Sequence, residues 1–414
     1  MRFCFLMPQL EQYSPVSGGA IATITSHVAH ELQRSGHGVD VIASESEEPA
    51  YRQGNLHVVN VQKSGLIRNL AAHLEARVRH WHFPHEGRFS SASLRILRQI
   101  CPDVVILAND LDQISRVRSV LPRSKLLVWL HNECPLRKGW GSRLADADAF
   151  LCCSEHIKRW LLSEFGISCE RVHTAYAGVD RSEFYPAEQP GDQESLRVLF
   201  TGRLDPNKGV DIAVNSVQRL RKMGLPIQLS VAGNIWFYRQ GHRSEDSFQN
   251  RLRAAMGTEG IDWLGHVPRR FLPGVMRQHD VAMVPSRSEE PFGLVVLESM
   301  ASGLAVIASA RGGLPEACSG AAILVDPNNT AEIERVLRQF CEDRVELRRW
   351  QNRSLSRIQS ASWEDTARVL YRVATGQTFE SASNSAADLE APERVRPVGE
   401  QSGGVSLREQ PIQA

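Results

Sequence analysis

The sequence lacks several features that would assign it to a specialised class of protein. Its 414 residues carry 48 Lys and Arg against 47 Asp and Glu, so the net charge of +1 does not indicate a general nucleic-acid role. No apolar run reaches the roughly 18 residues that a membrane-spanning helix needs. The length predicts two to three domains, and a hydrophobic fraction of 42% is enough for sizeable cores.

The cysteines form no pattern that indicates disulfides or a redox motif. The eight of them are scattered along the chain, and no two form a C-x-x-C pair, so we expect a reduced, cytoplasmic protein. Cys152 and Cys153 are adjacent in an apolar run, which favours two core residues over a redox pair. The apolar run at residues 2–7 is too short for a signal peptide and lacks a cleavage site, so it predicts a buried first strand.

Short runs rich in Val, Ile and Leu alternate with amphipathic stretches along most of the chain. The predicted strands lie at residues 2–7, 39–43, 56–61, 103–108, 125–130, 149–152, 197–201, 227–233, 281–285, 305–308 and 322–325. The predicted helices lie at residues 19–35, 154–164, 209–223, 245–257, 269–279, 293–302 and 330–342. This alternation predicts an α/β protein with parallel sheets covered by helices.

A polar linker at residues 186–192, which contains Pro and Gly, divides the pattern into two units. We predict two doubly wound, Rossmann-like domains, at residues 1–186 and 197–361, that face a cleft. A helix at residues 362–375 is predicted to pack back on the first domain. The tail at residues 376–414 is rich in Ser, Glu, Gln, Pro and Gly, which predicts disorder, with a regulatory or docking role as the alternative.

The most informative stretch contains two carboxylates around a predicted strand-to-helix loop. Glu290 stands at the mouth of the loop, and Glu298 follows about two helical turns later. Gly293 lies between them and lets a ligand approach the backbone. The free amides at the start of the helix suit an anion. Such a site suits a ligand that carries both hydroxyls and phosphates, such as a nucleotide-sugar.

Three further positions could complete this cleft. Gly18 and Gly19 precede the first helix and permit close approach of a phosphate, although glycine pairs also form ordinary turns. Arg203 and Lys208 bracket the turn after the first strand of the second unit, where they either hold a diphosphate or are simply solvated. His131 ends an apolar strand, so it is either a site residue or a structural hydrogen-bonding group.

Together these elements resemble glycosyltransferase family 4, the retaining group 1 enzymes of the GT-B fold. The resemblance covers roughly residues 1–375 and is most specific at residues 197–316. It rests on Gly202-Arg203-Leu204-Asp205-Pro206-Asn207-Lys208-Gly209, Pro285-Ser286, Glu290-Pro291-Phe292-Gly293, Glu298, Ala301-Ser302-Gly303-Leu304-Ala305-Val306-Ile307-Ala308 and Gly312-Gly313-Leu314-Pro315-Glu316. The Gly18-Gly19 loop also matches the family's first half, which is otherwise divergent, as expected of the acceptor side.

The resemblance implies a role for each matching residue of the second domain. Glu290 would hydrogen-bond the hydroxyls of the transferred sugar, and Glu298 would bind the nucleotide ribose. The amides of Phe292, Gly293 and Leu294 would contact the sugar and the phosphates.

The remaining roles implied by the resemblance connect the two domains. Arg203 and Lys208 would hold the diphosphate, assisted by the Gly19 amide in the Gly18-Gly19 loop. His131 would lie beside the reacting sugar and the acceptor.

The family resemblance also implies the reaction. A hexosyl or N-acetylhexosaminyl group would pass with retention from a nucleotide-diphosphate sugar to an acceptor hydroxyl, without a metal or a cofactor. UDP is the first choice because it is the commonest donor nucleotide in similar enzymes. The acceptor would belong to a bacterial cell-surface glycan, a lipopolysaccharide or a glycolipid. The alternatives are a soluble small-molecule acceptor and a non-catalytic, sugar-nucleotide-binding subunit.

Other enzyme classes receive less support from the sequence. Asp110-Leu111-Asp112 is the metal-binding pattern of the other major glycosyltransferase fold, but it starts a helix-like segment, where Asp is a frequent cap. No G-x-G-x-x-G follows a strand, which disfavours a dinucleotide oxidoreductase. A sugar-nucleotide epimerase would need a different acid/base set, which we do not find.

A basic, aromatic segment at residues 67–98 indicates a possible peripheral contact with an anionic membrane. It holds six Arg against Glu75 and Glu86, interleaved with Trp81, Phe83 and Phe89. The enzyme would then work on the inner face of the plasma membrane. The alternative is a solvated helix face with Trp81 in the core.

Overall fold

The computed structural model describes residues 1–16, 19–60, 86–134, 140–188, 194–234 and 243–379. Within these ranges the chain forms two parallel sheets covered by helices, which confirms the predicted α/β fold. Gly18, most of the basic segment at residues 67–98 and the tail from residue 380 onward lie outside the described residues, as do the predictions made for them.

The first sheet has seven strands in the order β3-β2-β1-β4-β5-β6-β7. These are β1 (Arg2–Leu6), β2 (Gly38–Ser44), β3 (Asn55–Val59), β4 (Val104–Ala108), β5 (Lys125–Leu130), β6 (Ala149–Cys152) and β7 (Val172–Thr174). The helices around it are α1 (Ala20–Arg34), α2 (Glu86–Ile100), α3 (Ile114–Val120), α4 (Trp140–Leu144) and α5 (Glu155–Phe165).

The second sheet has six strands in the order β10-β9-β8-β11-β12-β13. These are β8 (Leu196–Thr201), β9 (Ile227–Ala232), β10 (Ile261–Gly265), β11 (Val281–Val284), β12 (Ala305–Ser309) and β13 (Ile323–Val325). The helices that follow are α6 (Val210–Lys222), α7 (Arg243–Met256), α8 (Leu272–Met276), α9 (Leu294–Ala301), α10 (Leu314–Cys318), α11 (Thr330–Glu342), α12 (Arg344–Arg357) and α13 (Trp363–Thr375).

The strands form where the sequence offers a continuous apolar run. All five residues of β4 and all five of β12 are buried, as expected of strands that are covered on both faces. Helix ends follow local chemistry in the same way. The Ser154 side chain accepts a hydrogen bond from the Ile157 amide at the start of α5, and Gly166 ends that helix in the left-handed conformation.

The elements that the sequence prediction missed have weak patterns for identifiable reasons. The middle three residues of the edge strand β10 are exposed, so apolar periodicity is lost there. Helix α12 buries only Leu347 and Ser354 and is polar on nearly every face. The helix predicted at residues 269–279 is a 3-10 turn at Arg269–Phe271 followed by the short α8. Strand β7 has only three residues.

The structure also bears on the adjacent cysteines and on the question of a membrane-spanning helix. Cys152 and Cys153 are both buried without a disulfide partner, as predicted for core residues. In the portions of the chain that the structure describes, each helix is too short or too polar to cross a membrane.

The last helix returns to the first sheet's side of the molecule. The rings of Trp363 on α13 and His27 on α1 stack with their centroids 4.6 Å apart. The Thr366 hydroxyl donates a hydrogen bond of 2.6 Å to the carbonyl of Tyr176. Gly178 lies so close to the start of α13 that a Cβ there would be 2.3 Å from the Trp363 amide nitrogen. The chain therefore crosses between the two sheets twice, and α13 ties the second crossing to the first half.

A methyl group at Gly178 should loosen this attachment. Gly178→Ala places its Cβ against backbone atoms, which cannot rotate away, so we expect a stability loss of about 1–3 kcal/mol and a lower Tm. Gly141→Ala is the matched control, because a Cβ there meets nothing within 4 Å and alanine suits a helix. Thermal denaturation of both variants checks this. Equal Tm values for Gly178→Ala and Gly141→Ala would contradict the close approach of Gly178 to the start of α13.

Candidate active site

The loops at the carboxyl ends of the two sheets contact each other. Cys153 follows β6, and its Sγ lies 3.6 Å from the carbonyl oxygen of Pro291, which follows β11. The ring of Tyr176, after β7, stacks on Phe292 with centroids 5.6 Å apart. Ligands of parallel α/β sheets bind outside these carboxyl ends, so the cleft lies where the sequence prediction expects it.

A partly buried ion pair joins two of the predicted site residues. Lys208 Nζ, after β8, lies 2.6 Å from Glu290 Oε1, after β11. The Ser286 hydroxyl donates to the same oxygen at 2.7 Å. Glu290 is only 8% exposed. Because removing charges from water costs desolvation energy that the pair itself scarcely recovers, such a pair is weak evidence for a stabilising role.

Backbone contacts hold the loops of this pair together. The Arg287 amide donates to the Asn207 carbonyl at 2.7 Å, and the Arg287 guanidinium makes two bonds of 2.7 Å to the Asp211 carboxylate. Gly209 adopts a φ of +71°, and a Cβ there would lie 2.1 Å from the Pro285 carbonyl oxygen. Only glycine therefore allows the Lys208 loop to approach the Glu290 loop this closely.

The second carboxylate of the pair predicted from sequence is also engaged by a cation. Arg269 Nη1 lies 2.6 Å from Glu298 Oε1, and both side chains are largely buried. Burial acts to lower the pKa of Arg269, but the Glu298 carboxylate outweighs it, and the pKa is raised. The guanidinium also lies over the Phe184 ring, 5.3 Å from its centroid. Sequence reasoning missed Arg269, because a charged residue in a turn after an edge strand has no distinctive pattern.

The segment between the two carboxylates forms the start of α9. Phe292 is buried against Tyr176, whereas Gly293 and Leu294 are partly exposed. Gly293 is the N-cap with a φ of +101°, which favours glycine. Helix α9 therefore begins at the carboxyl end of β11, shortly after Glu290, and a helix start is suited to an anion.

Arg203 and Lys208, which are predicted to hold the diphosphate, each contact a different carboxylate in the structure. Lys208 contacts Glu290, while Arg203 is 57% exposed and its Nε lies 3.5 Å from Asp205 Oδ2. Each cation has a carboxylate partner, so a diphosphate would have to share or replace that partner.

A carboxyl group lies at the predicted phosphate-binding start of α1. Gly19 is the N-cap of this helix, and Glu11 Oε1 accepts a hydrogen bond of 3.1 Å from the Ala22 amide. A Cβ on Gly19 would lie 1.9 Å from the same Glu11 oxygen. Burial raises the pKa of Glu11, which favours its protonated form. A phosphate at this helix start would therefore meet Glu11, a residue that the sequence did not single out.

His131 is buried at the end of β5. Its amide donates to Asn109 Oδ1 at 2.7 Å, and its ring lies 4.9 Å from the Trp129 ring. Neither ring nitrogen has a hydrogen-bond partner among the described residues. Burial lowers the pKa of His131 to about 3, so the imidazole is neutral at physiological pH. Buried polar groups are normally paired, which makes this imidazole a candidate for binding a ligand.

The alternative metal motif is engaged in other contacts. Asp112 Oδ1 accepts hydrogen bonds from Trp140 Nε1 at 2.9 Å and from Arg143 Nη1 at 2.8 Å. In the described ranges no group of three or more His, Cys, Asp or Glu side chains is placed to hold a metal ion.

No hydrogen bond or ion pair among the described residues joins His131, Gly19 or Arg203 to the Lys208–Glu290 pair.

The low pKa of His131 gives the stability a pH dependence. Between about pH 6.5 and pH 3 the unfolded chain binds a proton at His131 that the folded protein does not, so stability falls as the pH falls. Between about pH 7.5 and pH 5 we expect the Tm of His131→Gln to fall less than the Tm of the wild type. His30→Gln, at an exposed position, is the control. Parallel Tm curves for the wild type and His131→Gln would contradict the neutral imidazole.

Comparison with known proteins agrees with this geometry. A family model of glycosyl transferases group 1 matches residues 182–357, and one of glycosyltransferase family 4 matches residues 18–183. A D-inositol 3-phosphate glycosyltransferase of Nocardia farcinica is 30% identical over 239 residues, 55% of this chain and 52% of the relative. A lipopolysaccharide 1,2-N-acetylglucosaminetransferase of Salmonella typhimurium is 27% identical over 224 residues, 51% of this chain and 56% of the relative. The matched stretches thus span about half the length of these curated relatives.

The fold has counterparts among solved structures. The crystal structure of Anabaena HepE in complex with UDP and glucose has a TM-score of 0.67 and 16% sequence identity, and covers 91% of this chain and 100% of that chain. At this identity the likeness concerns the fold alone. The two family models together account for both halves of the cleft, and the chain belongs to the group 1 glycosyltransferases of the GT-B fold.

Proposed function

We propose that this protein is a retaining, metal-independent glycosyltransferase that moves a hexosyl or N-acetylhexosaminyl group from a UDP-sugar to an acceptor hydroxyl. The partly buried Lys208–Glu290 pair carries the proposal. It puts an ammonium group and a carboxylate side by side at the start of α9. A nucleotide-sugar has a diphosphate and a polyhydroxylated ring one bond apart. A binding site for it therefore needs a cation for the diphosphate beside a hydrogen-bond acceptor for the sugar hydroxyls.

The proposed reaction requires stabilisation of two opposite charges. The bond between the anomeric carbon and the diphosphate oxygen breaks, a bond to the acceptor oxygen forms on the same face, and the acceptor proton passes to the leaving phosphate. Lys208 and the α9 amides would stabilise the charge that grows on the phosphate. Glu290 would hydrogen-bond the sugar hydroxyls and stabilise the positive charge that develops on the ring.

The first half would supply a neutral hydrogen-bonding group. The His131 imidazole, with its low pKa, carries no charge and offers one donor and one acceptor nitrogen. It would orient a hydroxyl of the sugar or of the acceptor without competing with the cationic Lys208 for the phosphate. Arg203, Glu298 and the start of α1 at Gly19 would complete donor binding.

The names of similar proteins support the choice of substrates. HepE was crystallised with UDP and glucose, which favours a UDP-sugar donor. The Salmonella relative is named for transfer to lipopolysaccharide, and the Nocardia relative for a small inositol phosphate acceptor. We propose an acceptor in bacterial cell-surface glycan or glycolipid synthesis, reached at the cytoplasmic face of the membrane through residues 67–98. A soluble phosphorylated acceptor is the second candidate.

A nucleotide panel tests the donor. Thermal shifts are measured with UDP, GDP, ADP, TDP and their common sugar conjugates, each with and without EDTA, because a ligand that binds the folded state raises the Tm. We expect a shift with UDP and a UDP-sugar that EDTA leaves unchanged. A shift lost in EDTA would contradict metal independence, and no shift with any nucleotide would contradict the enzyme assignment. The anomeric configuration of the product, read by NMR, tests retention.

Removing the charge of Glu290 should slow the reaction. Glu290→Gln keeps the shape but weakens stabilisation of the developing positive charge, so we expect kcat to fall by roughly 10²-fold. Glu259→Gln is the control, because this exposed residue precedes β10 and so lies at the amino ends of the parallel strands, whereas Glu290 follows the carboxyl end of β11. Steady-state transfer from the UDP-sugar identified by the panel measures both. Near-normal turnover in Glu290→Gln would exclude Glu290 from the site.

Removing Lys208 should weaken diphosphate binding selectively. We expect Lys208→Ala to lower the affinity for UDP by about tenfold or more while changing the affinity for uridine little, because only UDP carries the diphosphate. Isothermal titration with both ligands measures the difference. An equal loss for uridine and UDP would show that the lysine maintains the fold of the loop rather than binding phosphate.

A further inference from the structure

The 312–316 motif contains a carboxylate that the proposed chemistry does not use. Glu316 lies on α10 in the second half, yet its side chain contacts the first half. Glu316 Oε2 accepts a hydrogen bond of 2.6 Å from the Glu155 amide, and Oε1 accepts one of 2.8 Å from the His156 amide. These amides open α5, where the helix dipole favours an anion. One carboxylate thus caps a helix of the opposite half.

A second contact links Glu316 to the sugar-binding loop. The Tyr176 hydroxyl donates to Glu316 Oε2 at 3.1 Å, and the Tyr176 ring stacks on Phe292. Burial and the Glu316 charge together raise the pKa of Tyr176, so the hydroxyl keeps its proton for this bond. Tyr176 belongs to the first half, and Phe292 follows Glu290 by two residues. Glu316 therefore holds a first-half ring against the loop that carries Glu290.

The start of α10 reaches Glu290 by a separate route. The Gly313 amide donates a hydrogen bond of 2.6 Å to the Glu290 carbonyl, and the Gly312 amide donates to the Glu289 carboxylate. A Cβ on Gly313 would lie 2.2 Å from the Pro291 carbonyl oxygen, so this approach requires glycine. Glu316 follows Gly313 by less than one helical turn. A shift of Glu316 would consequently move the backbone of residues 289–291.

We propose that Glu316 is a positioning residue, a latch that binds the start of α5 and holds the loop at residues 290–294 against the first half during transfer. This rests on the proposed function, because the latch would align a donor held by the second half with an acceptor held by the first. The donor contacts proposed for Lys208 and Glu298 lie within the second half. Losing the latch should therefore affect turnover much more than nucleotide affinity.

The hydrogen bonds of Glu316 depend on both its negative charge and its two carboxylate oxygens. Glutamine has the same shape, but only one of its terminal atoms accepts a hydrogen bond, and its amide group would face an N–H donor at the start of α5. Hydrogen bonds to a charged acceptor are also roughly twice as strong as neutral ones. Glu316→Gln therefore opens the latch without creating a cavity.

The experiment compares Glu316→Gln with Glu334→Gln. Glu334 pairs with Arg219 at 2.9 Å within the second half, so its variant loses one ion pair that does not cross the cleft. In Glu316→Gln we expect kcat to fall by about 10- to 100-fold, since small misplacements of reacting groups have effects of this size. We expect the Kd for UDP to change less than about twofold, because the charged contacts proposed for Lys208 and Glu298 lie within the second half and do not include Glu316. Hydrolysis of the UDP-sugar should rise relative to transfer.

Hydrogen exchange of the Glu155 and His156 amides supplies a readout that needs no activity. The latch predicts faster exchange of these two amides in Glu316→Gln and unchanged exchange in Glu334→Gln. Unchanged exchange in Glu316→Gln would overturn the latch, whether or not the protein transfers sugar. Faster exchange with unchanged kcat, or a parallel loss of kcat and UDP affinity, would overturn the positioning role. A wild-type protein that transfers no sugar would instead refute the proposed function.

Discussion

The ion pair between Lys208 and Glu290 determines how the rest of the cleft is built. Two charges that are 2.6 Å apart and mostly buried cost desolvation energy, and the pair persists only where the surrounding loops hold both groups in place. Gly209 permits the Lys208 loop to touch Pro285, and Gly313 permits the start of α10 to touch Pro291. These two close approaches bring three loops of the second sheet to one point. A side chain at either glycine would collide with the backbone of the neighbouring loop.

Three carboxylates at the cleft, those of Glu290, Glu298 and Glu316, already have a hydrogen-bonding or charged partner. Glu290 has Lys208, Glu298 has Arg269, and Glu316 has the first amides of α5. A donor sugar would therefore exchange one set of partners for another rather than fill empty ones. Such an exchange limits net affinity, because each new bond replaces an old one. It also leaves the binding groups oriented before the ligand arrives, and this preorganisation is what stabilises a charged transition state.

The sequence reveals the architecture because both sheets are parallel and buried, which leaves short, continuous apolar runs in the chain. It also locates Lys208 and Glu290 separately, each after a strand. Their contact is not predictable from spacing, because they are 82 residues apart in the sequence. They meet because β8 and β11 are neighbours in the sheet. Arg269 and Glu11 lie in turns without periodicity, so nothing in the sequence assigns them a partner. The exposed strand β10 escapes prediction for the same reason.

The division of the site between two halves has a chemical consequence. The two cations proposed to bind the diphosphate, Lys208 and Arg203, lie on the second half, whereas the neutral imidazole of His131 lies on the first. A donor bound to the second half alone would be exposed to water, which is itself a nucleophile. Transfer in preference to hydrolysis therefore requires that the halves meet before the glycosidic bond breaks. In the proposed mechanism, contacts such as those of Glu316 and Tyr176 would act at this step, because they join the halves at the loop where the charge would develop.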